Sequence, residues 1–187
     1  PAESGIFVWG DAPDFEDEED ASGFTQDTGV ANITFTIIDE DGDVESTYEV
    51  GDQNTDGLDP AVSETESFES LLEDEDDSAT YGWSSDVPLE NVQFRVNDVD
   101  GDGVVQIRAF DPDGNPIEVQ LSDVGSDLAA SDTDGVAGND QVSSIDDDYT
   151  PDTDGIHSVI VTIPGPVGSW EVVHSMSGDN DSGINFT

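Results

Sequence analysis

The chain has 187 residues, of which 47 are acidic and two are arginine, with no lysine, so its formal net charge is −45. Arg95 and Arg108 cannot form the basic patch that nucleic acid or an anionic membrane surface requires, so we expect neither partner. No apolar run approaches the roughly 18 residues of a membrane-spanning helix, so we expect no membrane insertion. The absence of cysteine excludes disulfide bonds and thiolate metal sites.

The first 30 residues predict an acidic N-terminal arm ahead of the main domain. Residues 16–20 are all acidic and form the kind of charge run that usually remains solvated. Residues 6–9 are apolar and predict one short strand within the arm. The chain begins at Pro1 without a signal peptide, which favours a processed or excised piece of a longer protein.

Residues 31–187 predict an all-β domain with the architecture of an antiparallel β-sandwich. Twenty valines and eleven isoleucines against six leucines favour strands over helices. Residues 64–77 are the one helix candidate, because Phe68, Leu71 and Leu72 have helical spacing. Turn-forming residues separate the remaining apolar segments, as is typical of a sandwich or barrel. The predicted strands are residues 31–38, 45–50, 91–97, 103–110, 116–121, 156–163, 169–175 and 183–187.

An internal repeat relates residues 32–43 to residues 91–102. Each copy is an alternating strand that ends in the acidic turn D-x-D-G-D. The matching apolar alternation favours a true repeat over chance similarity in an aspartate-rich chain. The repeat therefore predicts that the two strands occupy equivalent places in a two-sheet sandwich.

The composition of the acidic residues points to calcium. Aspartate supplies 32 of the 47 acids, and seven of the aspartates precede glycine. Asp98, Asp100 and Asp102 form the D-x-D-x-D-G opening of a calcium loop, whose glycine permits the sharp turn. The twelfth place of that loop is Ala109 instead of glutamate, so this is no EF-hand. We expect the remaining ligands to come from elsewhere in the chain.

Other acidic turns are further calcium candidates. Each of them can also be a plain turn in which a side chain binds its own backbone, so this alternative stays open. The candidate ligands are Asp52, Asn54 and Asp56 in a D-x-N-x-D-G sequence, Asp39, Asp41 and Asp43 in the repeated turn, and Asp132, Asp134 and Asp140 in a glycine-rich loop.

The sequence offers little for catalysis, so we expect no enzyme. His157 and His174 are the only histidines, and a single histidine in a strand is usually a packed or solvent-facing residue. Carboxylate pairs are too abundant to indicate a glycosidase. Trp83 and Trp170 fit a buried core best, with exposed platforms for sugar rings as the alternative.

Residues 92–187 resemble a β-sandwich module of very large secreted proteins of marine alphaproteobacteria. The resemblance lies in residues 94–103, in residues 109–111 followed by Gly114 and Asn115, in residues 163–166, and in the closing residues 182–187. Such modules accompany calcium-binding repeats of the RTX type or arrays of adhesin domains. The glycine-rich nonapeptides that define RTX repeats are absent here. The resemblance therefore implies a companion module with a jelly-roll-like fold, secretion and a non-catalytic role.

Together these features predict a calcium-loaded structural or adhesive module at the cell surface, part of a larger secreted protein. Its expected partners are calcium ions, neighbouring copies of itself and polysaccharide. The alternative is a calcium-dependent carbohydrate-binding module that uses Trp83 or Trp170, and exposed coplanar rings beside a groove would favour it. A polysaccharide-degrading enzyme is a third hypothesis, which a cleft holding His157 or His174 against paired acids would favour.

Overall fold

Fourteen strands form two antiparallel sheets of seven strands each, which pack face to face as a sandwich. The computed structural model describes residues 3–12 and 15–187, so Pro1 lies outside the described residues. About 47% of the chain is strand, which confirms the prediction of an all-β antiparallel sandwich. Within the described ranges, the only helical elements are two short 3-10 turns, Trp9–Asp11 and Gly155–His157. No helix there is long and apolar enough to cross a membrane.

The strands divide between the sheets as follows. Sheet 1 has the order β1 (Glu19–Asp20), β4 (Val44–Glu49), β5 (Ser67–Leu72), β14 (Ser182–Phe186), β7 (Val92–Asn97), β12 (Val159–Ile163) and β9 (Gln120–Ser122). Sheet 2 has the order β10 (Leu128–Ser131), β11 (Gln141–Ser144), β8 (Gly103–Phe110), β13 (Val167–Met176), β6 (Ser78–Leu89), β3 (Asn32–Asp41) and β2 (Phe24–Asp27).

Aromatic side chains fill one half of the core between the sheets. Phe68 of sheet 1 meets Phe35 and Tyr81 of sheet 2, with ring centroids 5.1 and 4.8 Å apart, and all three rings are fully buried. Trp9 stacks on Phe68 at 5.2 Å. Burying each such ring stabilises the fold by roughly 1.5–3 kcal/mol, so these contacts are a main source of stability.

The described part of the first 30 residues belongs to the sandwich. Strand β1 pairs with β4, and β2 pairs with β3. Residues 6–8 form no strand and lead into the 3-10 turn that carries Trp9 into the core. The sandwich therefore begins within the acidic arm instead of at residue 31.

The prediction of a helix at residues 64–77 is wrong, because residues 67–72 form β5 in the middle of sheet 1. Phe68, Ser70 and Leu72 are fully buried at alternate positions, while Leu71 lies on the opposite face. The two-residue period of the buried positions is not visible in the sequence, because Ser70 is polar. Its hydroxyl is satisfied in the core by Tyr81 Oη at 2.7 Å and His174 Nδ1 at 2.9 Å.

The sequence analysis missed β6, the longest strand, which pairs with both β3 and β13. Its sequence contains Gly82, Asp86 and Pro88, residues that usually mark turns. A Cβ atom at Gly82 would lie 2.6 Å from Ile38 Cδ1, so a larger residue there would require the half-exposed Ile38 side chain to move. Strands β1, β2, β10 and β11 were also not predicted, and the predicted strand at 116–121 is observed only as β9.

The two copies of the internal repeat lie in different sheets. Strand β3 of sheet 2 continues through an acidic turn into β4 of sheet 1, and β7 of sheet 1 continues into β8 of sheet 2. Each acidic turn is therefore a crossover between the sheets. Gly42 and Gly101 have φ angles of 92° and 54° in these turns, a backbone conformation that favours glycine.

Candidate cation site

The outer face of sheet 1, which points away from the core, carries a row of polar side chains. Asn185 of β14 lies opposite Glu69 of β5 on one side and opposite Asn97 of β7 on the other. Directly opposed residues share one face of a sheet, so these three side chains project together. The inward positions between them are apolar, as Ile184 and Phe186 show.

Two chain segments, residues 50–66 and 145–158, cover this face and bury the polar side chains. Asn97 Nδ2 donates to Gln53 Oε1 at 3.1 Å and to the Asn54 carbonyl at 2.9 Å. Gln53 Nε2 donates to Asp152 Oδ2 at 2.6 Å, which joins the two covering segments. Asn97 and Asn185 are fully buried. We call this buried set of polar groups, between sheet 1 and the two segments, the outer polar layer.

Arg95 of β7 neutralises one end of the outer polar layer. Its guanidinium is fully buried and forms an ion pair with Asp123. Nε and Nη2 also donate to the Asp56 carbonyl at 3.1 and 2.9 Å, and Nη1 donates to Ser158 Oγ at 2.6 Å. This end of the layer is therefore held together by a positive charge that the chain supplies.

The side chains that supply charge at the other end of the layer are carboxylates. Like-charge repulsion couples a set of five carboxylates, with Asp152 acting on each of the other four; the set is Glu49, Glu69, Asp98, Asp100 and Asp152. Within the described residues, the ion pairs place Arg95 on Asp123, Arg108 on Glu171 and His157 on Asp146. None of these cations is paired with the five carboxylates, although His157 is near enough to favour the charged form of Asp100.

The pKa values reflect this imbalance. Burial, together with the nearby charges of Asp100 and Asp152, raises the pKa of Asp98 to about 9. Burial likewise raises the pKa of Glu69 to about 7, with a contribution from Glu49. Such shifts mean that the charged forms lack solvation, so the site favours any cation that can replace the missing water.

Two oxygen atoms at this end are buried and have no hydrogen-bond partner. They are Asp98 Oδ1 and Asn185 Oδ1. The amide nitrogen of Asn185 donates to Glu49 Oε2 and to Ser67 Oγ, the latter at 3.0 Å, and Asn185 is the cross-strand neighbour of Glu69. A buried polar atom left unpaired costs about 1–3 kcal/mol, so such atoms are uncommon in folded proteins.

The structure brings only part of the predicted D-x-D-x-D-G set together. Asp98 and Asp100 lie in the outer polar layer. Asp102 instead braces the turn after β13, where its Oδ2 accepts hydrogen bonds from the backbone and side-chain nitrogens of Asn180, both at 2.9 Å. The three aspartates therefore do not form one ligand set in this structure.

The D-x-N-x-D-G sequence contributes its backbone to the layer. Asp52 and Asp56 are exposed, and Asn54 Oδ1 accepts from the Asp56 nitrogen at 3.1 Å. The carbonyls of Asn54 and Asp56 receive the side chains of Asn97 and Arg95. This segment therefore has the plain turn that was the alternative to a calcium loop.

The aspartates of the repeated turn, Asp39, Asp41 and Asp43, are all exposed at the end of β3 and the start of the crossover. The backbone nitrogen of Asp43 donates to Asp77 Oδ1 at 3.0 Å. These side chains do not meet the carboxylates of the outer polar layer.

The glycine-rich loop does gather its predicted acids. Asp132, Asp134 and Asp140 have ligand atoms within 4.8 Å of one another. Asp140 is already bound by its surroundings, since it accepts from the Thr133 nitrogen at 2.6 Å and from Gln106 Nε2 at 3.2 Å. Although burial opposes ionisation of Asp140, these hydrogen bonds bring its pKa below the usual value.

A second compact group of metal-ligating residues was not predicted. Asp127, Asp146 and His157 meet the same 4.8 Å limit. His157 is fully buried, and its ring nitrogens lie 3.2 Å from Asp146 Oδ1 and 2.9 Å from Thr150 Oγ1. Each ring nitrogen therefore already has a partner.

The sequence analysis did not connect Glu49, Glu69, Asp152 and Asn185 with Asp98 and Asp100. No local spacing links them, because they lie on three strands and one loop that meet only in the folded chain. Glu69 offered one signal, because it is an acidic residue within a segment whose Phe68 and Leu72 are buried in the core.

The aromatic and histidine residues do not form exposed sites. Trp83 and Trp170 are 6% and 7% exposed, so the alternative of surface platforms for sugars is wrong. Their rings are parallel, with centroids 5.9 Å apart, and they line a cavity of about 520 Å³ at one end of the core. His174 is fully buried between Ser70 and Ser182, and this burial lowers its pKa to about 3.

No family model and no curated protein matches the chain. Among solved structures, it is similar to the enzymatically active domain of tailspike protein 4 from bacteriophage CBA120, at 13% identity and a TM-score of 0.36. It is also similar to an exo-beta-agarase, at 9% identity and a TM-score of 0.32. The alignments cover 82% and 81% of this chain but 18% and 23% of those chains. We infer no activity from likeness of this degree.

Proposed function

We propose that this domain is a non-catalytic, calcium-binding structural module of a larger extracellular protein. One observation carries the proposal: the outer polar layer holds five carboxylates, one buried and four half-buried, that neither arginine pairs with among the described residues. Calcium is a hard cation that takes six to eight oxygen ligands in flexible geometry, which suits a layer of carboxylate and amide oxygens.

Calcium would act on this domain as a structural tie. The two covering segments carry Gln53 and Asp152, and their contact is the only hydrogen bond between side chains of the two segments in the described residues. A cation among the acids would attract both segments to sheet 1, where repulsion now opposes their closure. Loops that repel one another when empty would then become rigid.

The energy available from this tie is large relative to the stability of a domain. An ion that binds only the folded state stabilises it by about 2.7 kcal/mol when its concentration is a hundredfold above its dissociation constant. Typical domains unfold with about 5–15 kcal/mol, so one such site can decide whether the module is folded. Calcium sites of extracellular modules commonly bind at about 0.1–1 mM, which suits a secreted setting.

The surroundings of the two histidines support a structural role over catalysis. Both histidines are fully buried: His174 lies between Ser70 and Ser182, and the ring nitrogens of His157 are occupied by Asp146 and Thr150. The exposed acidic crossover at Asp39, Asp41 and Asp43 supplies carboxylates through which calcium could bridge neighbouring copies or polysaccharide.

Thermal unfolding with and without calcium tests this proposal. We expect the midpoint to rise steeply with millimolar calcium chloride and to fall in EGTA. The matched control is sodium chloride at the same ionic strength, which screens charges without occupying a site. Equal midpoints in calcium and in the sodium control would contradict the proposal and favour a surface that is merely solvated.

A further inference from the structure

We propose that the principal calcium ion binds in the outer polar layer between β5 and the start of the β7–β8 crossover, and this rests on the proposed function. The ligands are side-chain oxygens of Glu49, Glu69, Asp98, Asp152 and Asn185. Asp100 positions Asp98, and Asp102 takes no part. The D-x-D-x-D-G sequence thus supplies one ligand, and three strands and one loop distant in sequence supply the rest.

The buried amide of Asn185 is the observation that points to a ligand independently of the acids. Asn185 is fully buried, and both hydrogens of its Nδ2 are used, by Glu49 and Ser67. Its Oδ1 is buried without a partner. Such an amide oxygen has lost its hydrogen bonds to water without gaining another partner. Ionised carboxylates nearby cannot donate a hydrogen bond to it, so a hard cation is the partner that remains.

Asp98 presents the same situation from the opposite side of the site. Its Oδ1 is also buried without a partner, and its backbone adopts φ 59°, which is uncommon for a residue other than glycine. The surrounding structure keeps this strained backbone, and strain of this kind concentrates at ligand-binding sites. Asp98 follows Asn97 directly, and Asn97 is the cross-strand neighbour of Asn185.

The distribution of charge in the layer places the ion at this end. Arg95 binds acceptors at the far end with a single fixed charge. At the near end, the Glu49 and Glu69 carboxylates approach each other, as do those of Asp98 and Asp100, and Asp152 acts on both pairs. A divalent cation between the two pairs would neutralise the negative charge at this end, as the Arg95 guanidinium does at the other end.

The ligand chemistry selects calcium over magnesium. The donors are all oxygens, on five separate segments of the chain. Among the described residues, the sets of three ligand atoms within 4.8 Å lie elsewhere, in the Asp127 and Asp132 groups. The carboxylates of the site must therefore close around the ion. Calcium accepts such variable geometry at 2.3–2.6 Å, whereas magnesium demands a near-ideal octahedron at about 2.0–2.1 Å.

Glu69→Gln is the decisive variant, because it removes one charge and keeps the size and hydrogen-bonding capacity of the side chain. In EGTA, we expect it to melt at a higher temperature than the wild type, since one repelling charge is gone. In calcium, we expect the order to reverse, with calcium affinity reduced by roughly 10- to 100-fold and one fewer ion counted by native mass spectrometry. A residue with a merely structural role would not reverse the order.

Two controls separate this site from the other acidic groups. Glu45→Gln makes the same substitution on the same face of sheet 1, at an exposed position, and should leave the ion count and affinity unchanged. Asp134→Asn alters the glycine-rich loop and should do the same. Asn185→Asp keeps an oxygen at the buried position and should retain the ion.

The outcomes distinguish the two proposals. If the wild type binds calcium tightly but Glu69→Gln keeps the same ion count and affinity, the site assignment is overturned while the proposed function stands. Loss of the ion in Asp134→Asn instead would move the site to the glycine-rich loop. If the wild type binds no calcium in isothermal titration, both proposals fail.

Discussion

Arg95 is the residue on which the covering segments depend most directly. In a chain of formal charge −45, one of only two arginines is fully buried. Its ion-pair partner, Asp123, has a side chain that is 68% exposed, so the pair itself contributes little. The larger contribution comes from the Asp56 carbonyl, which accepts from Nε and Nη2, and from the Ser158 hydroxyl, which accepts from Nη1 and itself donates to Asn97 Oδ1.

Replacing Arg95 by methionine should therefore destabilise the domain by about 3 kcal/mol. The side chain keeps much of its length, but the Asp56 carbonyl, the Ser158 hydroxyl and the Asp123 carboxylate all lose the guanidinium as donor, and a buried acceptor left unpaired costs about 1–3 kcal/mol. Urea unfolding in saturating calcium measures this loss. Arg108→Met is the matched control, because its side chain is 47% exposed and lies 3.8 Å from Glu171, and it should change stability by less than about 0.5 kcal/mol. Equal effects of the two variants would contradict the structural role of Arg95.

At the scale of single strands, the sequence predicted the elements whose apolar residues alternate plainly. Strands β3, β7, β8 and β14 agree with their predicted segments to within three residues at each end. β5 failed because a buried serine interrupts the alternation, and β6 failed because its buried rings stand among turn-forming residues. In both strands the neighbours decide the structure, since β5 lies between β4 and β14 and β6 lies between β3 and β13.

The same reasoning explains how much of the candidate site could be predicted. Asp98 and Asp100 are two residues apart, so local spacing identified them. Glu69 and Asn185 are paired only through the register of β5 with β14, which no local pattern encodes. The D-x-N-x-D-G sequence was misleading for a related reason, because its carbonyls, and not its carboxylates, face the layer.

The assignment of β5 as a strand makes a prediction about two adjacent leucines. Leu72 is fully buried between the sheets, whereas Leu71 lies half-buried on the outer face. Leu72→Ala should cost about 2–5 kcal/mol, and Leu71→Ala should cost clearly less, because its site can relax into solvent. Denaturant unfolding of both variants checks this. A helix would place both leucines on one face and give them similar costs.

For the molecule as a whole, the composition leaves a pH range in which few groups titrate. The chain has no lysine and no cysteine, and its tyrosines Tyr48, Tyr81 and Tyr149 all have pKa values raised above 10. Among the described residues, the carboxyl groups whose pKa values are raised to this range are Asp98, at about 9, and Glu69, at about 7.

In this range, the calcium-free domain should lose stability as the pH rises. A carboxyl with a higher pKa in the folded state stabilises the fold while it is protonated, and this stabilisation is lost as the pH rises through the folded pKa. We expect the free energy of unfolding in EGTA to fall from pH 7 to pH 9. In saturating calcium it should stay nearly constant, because the ion takes the place of the protons. A flat profile in EGTA would contradict the charge imbalance of the layer.

The order of the strands has a further consequence for how neighbouring copies of the molecule would behave. The four strands at the sheet margins, β1, β9, β10 and β2, have only two to four residues, while the long strands β3, β6 and β13 are interior. Both residues of β1 are exposed acids. Short, charged margins offer poor templates for strand addition by another chain. Copies held side by side could therefore remain separate folded units and resist merging into amyloid-like aggregates.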